Sequence, residues 1–544
     1  MSGFHSERAP LIVKEDDVDA DLTSAEDMDL PIFSPLNTQV RKQLNAINSI
    51  ERRQNNSLFR CLSCRCFLSV FMLILFIILA MAVMQAVVRP YPDKVPLASQ
   101  YDFIVVGAGP AGCVLSRKLV DAGASVLLLE AGDATQYDIG GTDYFGGPVT
   151  RFDIPFLWTS ITSYGKFSWP GTLLAKGLGG CGIHNAMIYL RALRSDIDGW
   201  NLPGWRWMDF LRAYKQLESF AVMGDEPVPP FHGVDGPMRT SRPTFVDDIS
   251  PEFVSSAIQA GIPFMEDFNG PDVAREGVGY YHFNIRGGTR DSAARTMLTS
   301  LLSSRTHKFK LQLRSTVTRV LLQEPGESSH GKHRAIGRAY CISSMLVFMC
   351  GVGVEYESEG GLKTAYLRVN SVPSYLNSFP SGCVILTAGS LNSPKLLMMS
   401  GIGPPSTLKD FGIPSLVASD GVGSNVQDHI SVGLSYRLDP AAIARLPSMF
   451  SLPSLLVRYL TEVDEYKSAS LNYSRPASEQ RDFGVLGSAG LSVGAFLKSP
   501  FAGSEGGPDI QLSVFPAVTE PHIAARAWYV NIEQQSFAYS YQVY

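Results

Sequence analysis

An α/β fold organised on a parallel sheet is what this sequence predicts, and three observations predict it. The stretch from Tyr101 to Asp133, YDFIVVGAGPAGCVLSRKLVDAGASVLLLEAGD, reads as strand, glycine turn, helix and strand. The 49 glycines and 34 prolines mark many turns and ordered loops, which suit a large α/β protein better than a helical bundle. At 544 residues and 45% hydrophobic content the chain can bury a large core and divide it between two or more domains. Its net charge of -5 carries no basic footprint, so nucleic acid is not an expected partner.

Residues 1–60 are polar, first acidic (Glu15, Asp16, Asp17, Asp19) and then basic (Arg41, Lys42, Arg52, Arg53). Such a segment cannot bury enough apolar area to offset its ordering entropy, so a disordered tail is predicted. Within it Glu7, Leu11 and Ile12 resemble the acidic dileucine motifs that clathrin adaptors read. Cys61, Cys64 and Cys66 border the next segment; no second ligand pair follows at zinc-site spacing, so no metal site is predicted and palmitoylated and inert thiols both stay open. Phe67 to Val88 is uncharged and long enough to cross a bilayer as a helix. A cleaved signal peptide fits badly, because a long polar tail precedes the run and no A-x-A-like site stands out. Arg52, Arg53, Arg60 and Arg65 precede the run while Arg89 and Lys94 follow it, so the tail is expected on the cytoplasmic side and the remainder on the luminal or extracellular side of the endomembrane system. Pro90, Pro92 and Pro96 stiffen a short linker.

The following unit is Rossmann-like. Phe103 to Val106 is an apolar β-branched strand; Gly107, Gly109 and Gly112 form a G-x-G-x-x-G turn; Cys113 to Asp121 has helical spacing; Ser125 to Leu129 is a second buried strand. The first glycine makes the tight turn, the second lets a pyrophosphate approach the backbone, and the third lets helix and strand pack. Glu130 ends the second strand, where a carboxylate accepts from a ribose diol.

A second glycine-rich stretch, AKGLGGCGIHNAMIYLRA, runs from Ala175 to Ala192, and its paired Gly179 and Gly180 would let the backbone close over a ring system or phosphate. Asp198-Gly-Trp200 and Gly204-Trp205 follow it, and later come Gly389-Ser-Leu-Asn-Ser-Pro394 through Gly403 and Gly421-Val-Gly-Ser-Asn425-Val-Gln-Asp428-His429. Together with the Rossmann start and Glu130-Ala-Gly, these resemble the glucose-methanol-choline (GMC) oxidoreductase family over Tyr101 to Tyr544, choline dehydrogenase and choline oxidase included.

The resemblance implies an FAD-binding domain interleaved with an α+β substrate domain on an antiparallel sheet. The predicted boundaries are 101–200 and 290–429 for the FAD-binding domain, 201–289 and 430–544 for the substrate domain. It further implies hydride transfer from an alcohol CH–OH to FAD, with Gly107, Gly109, Gly112, Glu130, Gly179, Gly180, His184, Asn185, Ala186 and Met187 lining the cofactor and Val317, in the strand-like run Thr316 to Leu322, offering its backbone to the adenine. His184 stands where the family usually has an apolar residue, and choline oxidase has a histidine there that bonds covalently to the flavin; a covalent link through His184 and a histidine that only packs or hydrogen-bonds both stay open.

Four features depart from that pattern or lie outside it. Arg338 to Gly353 looks inserted, either a real extra hairpin or untranslated sequence in a gene model. Glu465 to Asp482 reads as a polar surface loop holding the glycosylation sequon at Asn472. Trp158, Trp200, Trp205 and Trp207 read as an aromatic cage or as ordinary packing. The run Ser536 to Tyr544 alternates like a strand and then ends, which predicts an open sheet edge and reads as a truncated gene model or fragment. The family's proton-accepting histidine lies in a C-terminal segment absent here; His232 and His282 match no family base, His429 reads as structural, and no catalytic residue is assigned. This chain is therefore expected not to turn over an alcohol. An FAD-dependent alcohol oxidoreductase and a membrane-anchored flavin-binding protein without turnover are the two readings, with an NAD-dependent dehydrogenase a distant third.

Overall fold

The computed structural model describes residues 100–142, 149–161, 165–170, 172, 174–222, 227–270, 275–304, 306–322, 341–342, 346–349, 351–368, 383–437, 452–470, 482–503, 507–515 and 536–543, all within the unit Val83–Tyr544. The predicted tail with Glu7, Leu11 and Ile12, the cysteines Cys61, Cys64 and Cys66, the predicted span Phe67 to Val88 and the sequon at Asn472 lie outside them. Among the described residues no helix is long and apolar enough to cross a membrane.

Four short parallel strands make the centre, in the order Phe309–Gln312, Val126–Leu129, Phe103–Val106 and Cys383–Leu386. The inner two, Val126–Leu129 and Phe103–Val106, and Cys383–Leu386 are apolar throughout because both of their faces are covered, while Phe309–Gln312 carries Lys310 and Gln312. On one face Phe103, Val105, Val126, Leu128, Leu311 and Ile385 pack against the helices Pro110–Asp121 and Ala293–Ser304. On the other, Ile104, Val106, Leu127, Leu129, Val384 and Leu386 meet Val320, Val354, Tyr356 and Leu367 of a second sheet. That sheet runs Gln100–Tyr101, Gly361–Leu367, Gly351–Ser358, Thr316–Leu322. Pro110 opens the first helix, where its fixed φ fits and its missing N–H removes one donor that would have no partner.

An antiparallel five-stranded sheet lies elsewhere in the chain order: Ile430–Arg437, Ser536–Val543, Ile510–Phe515, Val493–Leu497, Gly277–Tyr280. A smaller sheet joins Ile188–Tyr189, His282–Phe283, Met238–Ser241 and Glu218–Ala221. Segments distant in sequence therefore alternate between architectures.

Three expectations are settled or corrected. Ser536–Val543 is no open edge: it pairs with Ile430–Arg437 on one side and Ile510–Phe515 on the other, so its backbone groups are shared with two strands. The predicted loop from Glu465 begins as helix, for Leu452–Ser470 is one α-helix. Leu455, Leu456, Tyr459, Leu460 and Val463 recur at helical spacing and pack against Val149, Ile154, Phe483 and Leu486, so the charged residues that suggest a loop are its outer face. Within the stretch that looks inserted, Cys341–Ile342 pairs antiparallel with Leu346–Met349, which adds antiparallel to Cys383–Leu386 and extends the central sheet to six strands, while Gly351 to Gly353 begin a strand of the second sheet.

Candidate functional site

The two glycine turns meet. Gly107 has φ 101° and donates its N–H to Leu129 O at 2.8 Å, which folds the chain back from the first strand. A Cβ on Gly107 would lie 2.5 Å from Thr387 O, and one on Gly112 only 2.0 Å from Gly107 O, so both positions are closed by backbone. Gly109 is different, since a Cβ there would find nothing nearer than 3.9 Å. Gly180, at φ 53°, abuts it, with a Cβ on Gly180 falling 2.8 Å from Gly109 Cα. Gly179 donates to Ala108 O at 2.8 Å, and Thr387 Oγ1 to Gly107 O at 2.6 Å. The helix N-cap at Gly109 has no side-chain cap and its first turn holds no acidic residue, which leaves a positive helix end beside open backbone.

Glu130 is buried next to this turn, accepting from Ala108 N at 3.0 Å and Gly132 N at 2.9 Å. Burial pushes its carboxyl up to about 7 against the pull of those amides. Ser315 N donates to Glu130 O, which brings the strand carrying Val317 to the same end of the sheet. Val317 is part-buried and pairs with Tyr356 just before a register shift.

The segment after the second glycine turn is held from inside. His184 caps the 3-10 turn Gly180–Ile183, and its Nε2 is buried without a hydrogen-bond partner. Burial, followed by the nearby Arg290 guanidinium, holds its imidazole below the ordinary value. Asn185 Oδ1 and its carbonyl both accept from Arg290 Nη1 at 2.7 Å. Ala186 is part-buried, and Met187 is fully buried at φ 59°, a left-handed conformation uncommon outside glycine. The structure thus gathers Gly107, Gly109, Gly112, Glu130, Gly179 and Gly180 at one turn and hangs 184–187 from it.

Arg290, Gln136, Asp153 and Thr387 support this site and carry no signal in the sequence. Gln136 Nε2 donates to Asp153 Oδ1 at 3.1 Å and Arg290 O at 2.8 Å. Nothing in a one-dimensional pattern separates a buried arginine from a surface one.

The other histidines sit apart from the turns. His429 is exposed, its N–H bonded to its own neighbour Asp428. His232 stands in a buried chain, Nδ1 2.9 Å from Glu218 and Nε2 2.8 Å from Asp267, with Arg191 2.7 Å from Glu218. Burial opposes charge on all three titrating partners, yet their mutual bonds hold Glu218 and Asp267 below and His232 above their ordinary values. His282 is pushed down to about 4 by burial. His232, Asp267 and His282 each offer a ligand atom, all within 4.8 Å of one another. Both ring nitrogens of His232 already face carboxylates, so the cluster is an ion-pair chain as it stands. Three of the four tryptophans share one aromatic cluster, Trp200 and Trp205 packing on each other and on Phe210, and Trp207 on the adjoining Tyr214, while Trp158 lies apart and donates to Ala489 O.

The sequence profile of the GMC oxidoreductases matches residues 101–345 and 352–431. The chain belongs to this family. The break in the match, 346–351, holds the added strand Leu346–Met349 and is narrower than the predicted insertion 338–353. The chain is 30% identical over 432 residues to a fatty acid photodecarboxylase of Chlamydomonas reinhardtii, covering 77% of this chain and 61% of that protein. It is 32% identical over 354 residues to human mitochondrial choline dehydrogenase, covering 61% and 51%. Among solved structures, pyridoxine 4-oxidase from Mesorbium loti shares the fold at TM-score 0.55 and 22% identity over 81% of this chain and 71% of that one. A formate oxidase of Aspergillus oryzae, from work on its FAD modification, does so at 0.58 and 20% over 82% and 73%. The chain spans about half to three-fifths of the length of these curated relatives. GMC oxidoreductases bind FAD, and the turns fit it: open backbone at Gly109, an uncapped helix end for phosphate and a buried acid for the ribose.

Proposed function

We propose that this chain holds FAD on its paired glycine turns and belongs to a membrane-anchored enzyme that oxidises the CH–OH group of an alcohol. The observation that carries the cofactor reading is the cradle itself: Gly109 has free space where Gly107 and Gly112 have backbone contact, and Gly180 closes the second side. Gly107, Gly109 and Gly112 would hold the phosphates, Glu130 the ribose, Val317 the adenine, and Gly179, Gly180 and 184–187 the ring. When bound, FAD supplies the acceptor for the hydride that leaves the alcohol carbon. The residues of this chain bind and orient, and His184, whose imidazole burial and Arg290 hold below its ordinary value, would stand beside the ring with Nε2 free of partners among the described residues. Acid precipitation decides the nature of that contact, because flavin retained in the pellet means a bond from His184 and flavin released means packing.

Incubating the full chain with FAD and following flavin fluorescence tests the cradle, and anaerobic bleaching by a panel of primary alcohols, choline included, tests the reaction. A chain that leaves flavin fluorescence unquenched overturns the cofactor reading. One that binds flavin and bleaches with no alcohol of the panel favours binding without turnover.

The anchoring part of the proposal rests on the uncharged run Phe67 to Val88 and the arginines that precede it. Protease added to intact microsomes should trim the tail, which carries the adaptor-like Glu7, Leu11 and Ile12, and spare the remainder. Digestion of the remainder with survival of the tail reverses the orientation.

A further inference from the structure

Arg290 is completely buried, yet among the described residues no carboxylate forms an ion pair with it. Its guanidinium faces carbonyl oxygens: Nε donates to Phe152 O at 3.2 Å, and Nη1 to Gly182 O at 3.3 Å, Asn185 O at 2.7 Å and Asn185 Oδ1 at 2.7 Å. Asp153 is its nearest charge influence, but that carboxylate is bonded to Gln136, Thr150 and the amide of Tyr137. Nη2 is buried with no partner, and so is Nε2 of His184 on the same turn. Leaving a buried polar atom without a partner is expensive in a dry interior, most of all the charged donor Arg290 Nη2, so these two atoms flanking one four-residue turn call for a group that completes them.

We propose that Arg290 is the positioning residue of the cofactor turn: it fixes residues 182–185 from inside through the carbonyls of Gly182 and Asn185 and the Asn185 side chain, and keeps its Nη2 N–H as the donor for an acceptor oxygen of the bound cofactor. The inference rests on the FAD reading above. It adds that the fork, and not the charge alone, is required, because one nitrogen bridges Gly182 and Asn185 while the other has no partner among the described residues. A lysine at this position keeps the cation and loses the second donor. The buried cation is also the charged neighbour that helps hold His184 unprotonated.

The test uses the full chain in detergent with two variants, Arg290→Lys and Arg290→Met, and two readouts. In the apo protein, the His184 imidazole is titrated by NMR, its resonance assigned with His184→Gln. Its midpoint should rise toward the ordinary value in Arg290→Met and stay low in Arg290→Lys. In the second readout, FAD affinity from fluorescence quenching should fall about 10-fold in Arg290→Lys, the loss of one hydrogen bond from a charged donor. If Arg290→Met does not fold, Arg290→Lys alone decides the matter by its FAD affinity. A lysine variant that binds FAD as tightly as the parent overturns the proposal, as does a folded methionine variant with an unmoved His184 midpoint. Should the parent itself bind no FAD, the cofactor reading fails, and the apo titration still decides whether Arg290 governs His184.

Discussion

A methyl group added at Gly109 and one added at Gly112 meet opposite surroundings, although the two glycines belong to one motif. At Gly112 it lands 2.0 Å from Gly107 O and 2.7 Å from Thr387 Oγ1, neither of which can move without opening the turn. At Gly109, with φ -74° and ψ -175°, alanine is conformationally comfortable and free of contact. Gly112→Ala should therefore lower stability by about 1–3 kcal/mol, as overpacking does. Gly109→Ala should leave the melting temperature near the parent's and weaken FAD binding, because the space it fills is where a phosphate approaches the backbone. Thermal melting and flavin fluorescence quenching read the two effects separately; a Gly109→Ala protein with unchanged FAD affinity removes that glycine from the cofactor site. The motif glycines were legible because strand, turn, helix and acid follow in order. Arg290 was not, since its burial depends on Phe152, Gly182 and Asn185 arriving from three other parts of the chain.

At the scale of elements, the small sheet that carries Glu218 and His282 stores a pH dependence of definite sign. His282 is held neutral in the fold, its value pushed from the ordinary 6.5 to about 4 by burial. Its contribution to stability is present above 6.5 and is lost as pH falls toward 4, on the order of 3 kcal/mol over the whole interval. Glu218 and Asp267, held low, also lose their contributions on acidification, but only below the ordinary carboxylate range. His232, held high, acts oppositely: its contribution is complete below 6.5 and is lost as pH rises through its raised value. Between pH 6.5 and 4.5 the loss within this sheet therefore belongs mainly to His282, while Glu130 at the glycine turn, pushed up to about 7, acts in the opposite sense as it takes up a proton. Urea unfolding should show the parent losing stability relative to His282→Gln across that interval, the Glu130 contribution being common to both. Parallel curves for the two proteins would mean that His282 titrates in the fold as it does in the unfolded chain. The helix Leu452–Ser470 was not legible in the sequence, because Glu462, Glu465 and Lys467 obscure an apolar face at helical spacing that closes on Val149 and Phe483.

The whole molecule is assembled from pieces that cannot stand alone. The Tyr101 to Asp133 unit, so clear in the sequence, supplies only two adjacent strands of the central sheet; the flanking strands are Phe309–Gln312 and Cys383–Leu386. Val105 and Leu128 are fully buried because Ala294 and Leu298, from a helix far along the chain, cover them, and Ile104 and Leu127 need Val320, Val354 and Tyr356. This interleaving explains what the sequence could and could not show: local signals mark the cofactor turn, while the partners of each strand are set by pairings across more than 180 residues. A piece holding residues 100–200 exposes both faces of its two strands and leaves Phe103–Val106 and Val126–Leu129 each with one unpaired edge, so it should not fold. Circular dichroism should show no cooperative melt for 100–200 alone, and co-expression with 201–544 should restore protease resistance to both pieces. A cooperative melt of 100–200 by itself would show that the glycine-turn unit carries its own core, and would place the later strands as additions to a structure already formed.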